Sequence, residues 1–106
     1  MDERQIYYMN QALMLARRAQ RRGEVPVGCV IVRKGRIIAR SSNRREAGKN
    51  ALYHAELLAI DKACRRLGGW RLWDCELYVT LEPCAMCAGA IINARIPKVF
   101  FGASDD

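Results

Sequence analysis

The sequence predicts a single α/β domain, a three-layer α/β/α arrangement with a mixed sheet and helices on both faces. Three observations carry that expectation. Apolar residues recur at helical spacing in three segments, and compact apolar runs stand between them. Glycine or proline marks most of the junctions. A chain of 106 residues can build one core but not two, so residues 1–106 are read as one domain without linkers or repeats.

The first helix is predicted from Ile6, Met9, Leu13 and Ala16, which form one stripe while Arg17, Arg18 and Arg21 lie off it. Gly23 ends it. Val25 to Val32 is almost entirely apolar, the pattern of a strand buried on both faces. Arg33-Lys34-Gly35-Arg36 has the composition of a tight turn, and Ile37-Ile38-Ala39 begins the return strand of a hairpin. The polar stretch Ser41 to Asn50 reads as a loop. Leu52 to Leu67 reads as a second helix, stopped by Gly68-Gly69. Glu76 to Leu81 is a strand by composition. Pro83 follows, where a proline opens a helix without losing a needed hydrogen bond, and Cys84 to Ala94 continues as that helix. Pro97 closes it, and Val99-Phe100-Phe101 forms a last strand. The two strand-helix-strand connections are expected to be parallel and right-handed.

Composition narrows the function classes. An apolar fraction of 51% with 27% charged residues excludes an intrinsically disordered chain. No apolar run approaches the roughly 20 residues of a membrane span. Residues 1–23 hold no uninterrupted apolar segment of the secretory kind, so a cytoplasmic protein without a membrane partner is expected. Eighteen Lys and Arg against 11 Asp and Glu give a net charge of +7. The basic residues cluster: Arg17, Arg18, Arg21 and Arg22 near a helix end, Arg33, Lys34 and Arg36 at the hairpin, Arg44, Arg45 and Lys49 in the loop. Such clusters are either a solvated surface or a face for a polyanion such as RNA or DNA.

Five cysteines, an odd number, argue against a disulfide framework and for a metal site, a redox pair or buried thiols. Cys29, inside an apolar strand, is a core residue by this reading. His54 is the one histidine, and His54-Ala55-Glu56 is followed by Pro83-Cys84-Ala85-Met86-Cys87. H-x-E followed by P-C-x-x-C is the signature of zinc-dependent deaminases. Cys84 and Cys87, three apart, share one helix face and can grip one ion. In a first turn, free backbone N–H groups favour thiolate over thiol. One His and two Cys leave the fourth tetrahedral position of Zn²⁺ open, as a catalytic zinc requires.

Residues two apart do not share a mid-helix face, so His54 and Glu56 converge only if the helix end itself points at the metal. Glu56 then stays off the ion and is free to move protons; a favourable charge in a helix first turn describes it equally well. Two other readings of the cysteines remain. Cys84-x-x-Cys87 after a strand also describes a thioredoxin-like redox pair, and Cys64, Cys75, Cys84 and Cys87 could close a structural Cys₄ zinc site. The first leaves His54 and Glu56 unexplained, and the second lacks close spacing between Cys64 and Cys75. Tyr7, Tyr8, Tyr53, Trp70 and Trp73 are the candidates for base stacking; all but Tyr53 are better read as ordinary core or edge packing, while Tyr53 adjoins His54 and is a candidate for lining a pocket.

Beyond that signature the chain resembles the bacterial tRNA adenosine deaminases of the cytidine deaminase-like superfamily. The matching segments are residues 23–28 (Gly23 to Gly28), Asn43-Arg44, His54-Ala55-Glu56, residues 77–90 from Leu77 to Ala90, and Phe101-Gly102-Ala103. They occur in family order across nearly the whole chain. The resemblance implies a cytidine/deoxycytidylate deaminase-type zinc-binding domain and hydrolytic conversion of adenosine to inosine in RNA, at the tRNA anticodon wobble position. One Zn²⁺ per chain is implied, held by His54, Cys84 and Cys87, with zinc-bound hydroxide attacking C6 and Glu56 shuttling the proton. Asn43 would hydrogen-bond the base and the backbone N–H of Ala55 would hold the reacting group. Val25 and Tyr53 are further substrate-binding candidates. A target base must leave its stack to be reached, which an anticodon loop permits at low cost. The resemblance also implies a homodimer and a tRNA or other single-stranded nucleic acid partner. The chain departs from the family at Asn50-Ala51-Leu52-Tyr53, where a bulky Tyr53 is expected to reshape the pocket, and in lacking the family's C-terminal segment after Asp106. Competing functions are deamination of a free base or nucleoside such as guanine or cytidine, deamination of single-stranded DNA, and a non-catalytic zinc-stabilised RNA-binding module.

Overall fold

A computed structural model describes residues 1–103. Helix α1 spans Glu3–Arg21 and opens with a reciprocal cap, in which the Asp2 side chain accepts from the Gln5 amide while Gln5 accepts from the Asp2 amide. Strands β1 (Gly28–Arg33) and β2 (Arg36–Ser42) form the expected hairpin. Its two-residue turn, Lys34-Gly35, takes positive φ at both positions (51° and 76°), as a primed hairpin turn demands. A short helix α2 (Arg45–Gly48) and the longer α3 (Ala55–Leu67) follow. Then come β3 (Cys75–Val79), α4 (Ala85–Asn93) and β4 (Lys98–Phe101).

The strands form one sheet in the order β2-β1-β3-β4. β1 runs antiparallel to both β2 and β3, and β4 runs parallel to β3. β2 and β3 therefore point the same way with β1 between them, so both helical crossovers join parallel strands. Alternation along β1 builds the two halves of the core. Val30 and Val32 pack with Tyr8, Met9 and Ala12 of α1 on one face, joined by Tyr78. Cys29 and Ile31 pack on the other face with Ala55, Ala59 and Ala63 of α3 and Ile91 of α4. The three-layer architecture and the buried Cys29 are as the sequence predicts.

Several elements differ from expectation. The buried stripe of α1 is Tyr8, Met9, Ala12, Ala16 and Ala19, whereas Ile6 is 47% exposed. Small residues bring α1 so close to β1 that a Cβ on Gly28 would lie 2.0 Å from the Ala12 carbonyl oxygen. Tyr8 reaches inward because its hydroxyl donates to the Gly35 carbonyl. β1 begins at Gly28 and not at Val25, which is exposed. The stretch 41–50 is not all loop: β2 runs to Ser42, and α2 lies within it. Tyr7, Trp70 and Trp73 are exposed, so of the core or edge packing expected for them it is the edge form that occurs: Tyr7 meets the Tyr8 ring edge-on at 5.6 Å. Arg71 stacks on Trp70 at 4.1 Å, so a cation on the indole face replaces burial there.

Candidate metal centre and active site

Helices α3 and α4 begin at the same place. His54 is the N-cap of α3 and Cys84 the N-cap of α4, both in extended backbone conformation. Neither side chain caps its own helix. The position usually given to a capping oxygen instead aims an imidazole and a thiol at a common point. Pro83 and Cys84 thus precede the helix, which begins at Ala85, two residues later than the sequence predicts. Cys87 follows on the first turn, fully buried.

The Nδ1 atom of His54 lies 3.8 Å from the Sγ of Cys84 and 3.6 Å from that of Cys87. The three ligand atoms all fall within 4.8 Å of one another. A tetrahedral Zn²⁺ with bonds of about 2.0 Å to nitrogen and 2.3 Å to sulfur sets N···S edges of about 3.5 Å. The donor set and its spacing therefore fit zinc. Cys64 and Cys75 do not belong to this cluster; both pack in the core against α3 and β3. A closed Cys₄ site is thereby excluded, and a redox pair would leave the imidazole contact without a role.

Glu56 sits in the first turn of α3 and is only 4% exposed. Burial pushes its carboxyl above the ordinary glutamate value of 4.5, against the opposing effect of its own backbone amide and of His54. Burial likewise raises the Cys87 thiol well above its ordinary value, and the Glu56 carboxylate adds to the shift. The sequence expectation was a thiolate favoured by the helix terminus. On the protein's own groups, desolvation outweighs that terminus, and a thiolate at Cys87 needs the charge of a cation.

A cleft of about 260 Å³ opens over these residues at the C-terminal ends of β2 and β3, the end of a parallel pair where ligands bind. His54, Cys84, Glu56, Asn43 and Val25 line it, together with Leu81 and Glu82. Asn43 is nearly buried, and its Oδ1 accepts from the Arg45 amide at 3.0 Å. Its NH₂ is consequently the group it offers to the cleft. Ala55 is fully buried at the first helical position, where its N–H has no acceptor within the helix.

Tyr53 does not line the cleft. Its ring covers Gly48, where a Cβ would meet it at 2.2 Å, and its carbonyl accepts from the Arg44 amide. The bulk of Tyr53 is thus taken up by packing on α2, and the expected reshaping of the pocket by its ring does not occur. Leu81 and Glu82 went unnamed as site residues in the sequence, although both fall inside the matching segment 77–90. Glu24 was also missed. Its carboxylate accepts from the amides of Glu46 and Ala47, so it caps α2 from 22 residues away and fixes the wall that carries Asn43.

Residues 2–103 match the cytidine and deoxycytidylate deaminase zinc-binding region. A tRNA-specific adenosine deaminase of Bacillus subtilis is 54% identical over 98 residues, covering 92% of this chain and 61% of that protein. Its counterpart in Aquifex aeolicus is 52% identical over 99 residues, covering 93% of this chain and 66% of its own length. The chain thus spans about three-fifths to two-thirds of these curated relatives. A solved structure from work on A-to-I editing by tRNA:A34 deaminases superposes with a TM-score of 0.92 at 50% identity, covering 94% of this chain and 77% of that one. A guanine deaminase of Bacillus subtilis superposes with a TM-score of 0.91 at 41% identity, covering 98% of this chain and 66% of that one.

Proposed function

From the premise that the chain belongs to the cytidine and deoxycytidylate deaminase zinc-binding family, we propose that it hydrolyses adenosine to inosine in RNA, at the wobble position of a tRNA anticodon. The observation that carries this reading is the meeting of His54, Cys84 and Cys87 beside a buried Glu56 at the floor of one cleft. In this reading those three side chains hold one Zn²⁺, which supplies Lewis acidity and draws the pKa of a water toward about 7.

The chain's own residues do the rest. Glu56 would take a proton from the attacking water and pass it to N1 of adenine, then take the second from the new hydroxyl at C6 and hand it to the departing amine, so that water and adenosine leave as inosine and ammonia. Burial raises its carboxyl above the ordinary glutamate value, which makes it a better proton acceptor than an exposed glutamate. The Asn43 NH₂ donates to a ring nitrogen and orients the base. The Ala55 N–H, at the positive end of α3, donates toward the oxygen being added at C6 and steadies it. Val25 gives the cleft an apolar side against the base. Tyr53 acts indirectly, through α2.

The RNA substrate is supported by the net charge of +7 and by the higher identity to tRNA-specific adenosine deaminases than to the guanine deaminase. The likeness to that guanine deaminase favours a second reading, deamination of a free purine. Incubating the zinc-loaded chain with an anticodon stem-loop bearing adenosine at the wobble position, and separately with guanine, cytidine and adenosine, tests the choice. Inosine in the stem-loop is expected. Ammonia released only from the free compounds would sink the RNA assignment. The reading includes a homodimer, supported by the exposed Met86 and Ile92 on α4 beside the site, and sedimentation equilibrium tests it. Among the described residues no helix is long and apolar enough to cross a membrane.

A further inference from the structure

We propose that a second groove, next to the active cleft and lined by Arg18, Arg22, Arg40, Arg44 and Lys62, holds the phosphodiester backbone of the RNA strand whose base enters the cleft. The proposal rests on the RNA reading above and adds to it a site for the sugar-phosphate chain. The groove encloses about 200 Å³, and no acidic side chain lines it. Its five cations come from α1, β2, the β2–α2 junction and α3. Residues remote in sequence are thus gathered onto one surface.

Three of the five are held in place by contacts within the protein. Arg22 Nη2 donates to Ser42 Oγ at 2.8 Å, Arg40 Nη1 to Gln11 Oε1 at 2.8 Å, and Lys62 Nζ to the Arg40 carbonyl at 2.7 Å. All three partners are neutral, so none of these hydrogen bonds pairs a groove cation with an acid. The salt bridges among the described residues, Arg33–Asp74 and Arg65–Asp61, involve none of the five. One acid acts on the groove from behind: Glu24 lies close enough to Arg22 and Arg44 for their charges to lower its pKa. Both of its oxygens are engaged by α2 amides, so it fixes the loop without occupying the groove.

The wall between groove and cleft is a single run of chain. Ser42 faces the groove, Asn43 the cleft, Arg44 the groove and Arg45 the cleft. A strand lying in the groove can therefore send one nucleotide over this wall to Glu56 while its neighbours' phosphates remain among guanidinium groups. Guanidinium forks bind phosphate oxygens in pairs, and the Ser41 and Ser42 hydroxyls add neutral donors. Five like charges in one concavity repel each other, and a polyanion relieves that repulsion while releasing its own counterions.

The test measures binding of a fluorescently labelled anticodon stem-loop to the full zinc-loaded chain across a potassium chloride series, alongside inosine formation in the same RNA. Two double variants carry the same net charge: Arg18→Gln with Arg44→Gln in the groove, and Arg17→Gln with Arg36→Gln outside it. The groove pair is expected to weaken binding about tenfold or more near 0.1 M salt. It is also expected to make the slope of log affinity against log salt shallower by about 1.4, or about 0.7 for each phosphate contact removed. The outside pair is expected to change affinity less than about twofold. Equal loss in both pairs, or none in the groove pair while inosine still forms, would overturn the groove and leave the RNA reading standing. No binding and no inosine with the unaltered chain, together with deamination of guanine, would overturn both.

Discussion

The Sγ of Cys87 lies 3.6 Å from the Nδ1 of His54, although 33 positions of chain separate them. Each belongs to the start of a different helix, and the shared sheet places the two starts side by side. Because a buried thiol with a raised pKa is costly to ionise, the pair makes chemical sense around a cation and little sense without one. Replacing His54 with Ala, or Cys87 with Ser, is therefore expected to lower zinc affinity by at least about 100-fold. Cys64→Ala and Cys75→Ala should retain one zinc per chain. Metal analysis of the purified variants after dialysis against a chelator decides it, and zinc that survives in His54→Ala refutes the ligand set.

In the proposed reaction Glu56 moves protons beside the metal without holding it. It lines the cleft but lies outside the three-residue ligand cluster. Glu56→Gln keeps the shape of the side chain and removes its ability to take a proton. The expected outcome is a drop in kcat of about 10²- to 10⁴-fold with zinc content unchanged. A loss of zinc alongside the activity would make Glu56 a structural support of the ligands and not the proton carrier.

Gly28 marks the tightest contact between layers. A Cβ there would lie 2.0 Å from the Ala12 carbonyl oxygen and 2.7 Å from the Ala16 amide, both backbone atoms of α1 that cannot rotate away. Gly28→Ala must push α1 off the sheet, and a destabilisation of about 3 kcal/mol is expected. Urea denaturation followed by circular dichroism measures it. A change below about 1 kcal/mol would mean that α1 is held more loosely than this packing implies.

The same contact explains what the sequence could and could not tell. His54, Glu56, Cys84 and Cys87 were legible because a metal site demands particular residue types at particular spacings. The stripe of α1 was not, because two overlapping helical stripes compete and the winner is chosen by Ala12 and Ala16 meeting Gly28, a contact between distant parts of the chain. β2 runs to Ser42 for a similar reason, since Gly28 pairs with it across the sheet. Tyr53 looked like a pocket residue because it neighbours His54, yet adjacent residues in an extended segment point apart, and its ring found Gly48. Helix α2 left little local signal. Its N-cap, Arg44, makes no side-chain cap; Asn43 Oδ1 takes the Arg45 amide, and the next two amides go to Glu24, far away in sequence.

That long-range cap gives the protein a defined response to acid. The Glu46 and Ala47 amides, followed by the nearby charges of Arg22 and Arg44, hold the Glu24 carboxyl below its ordinary value of 4.5. A carboxyl whose pKa is lower in the folded chain binds fewer protons there than in the unfolded one. Its contribution to stability is therefore complete above about pH 4.5 and is lost as the pH falls through the folded-state value. Glu24→Gln removes the charge and leaves one oxygen where two amides need an acceptor. The variant should melt at a lower temperature at pH 7, and the difference from the unaltered chain should shrink as the pH is lowered from 4.5 toward 3. Because α2 carries the wall between cleft and groove, the variant should also raise KM for the stem-loop more than it lowers kcat. Thermal melts at several pH values, paired with stem-loop kinetics, check both halves; a melting difference that stays constant through pH 3 would show that Glu24 acts by packing and not by its charge.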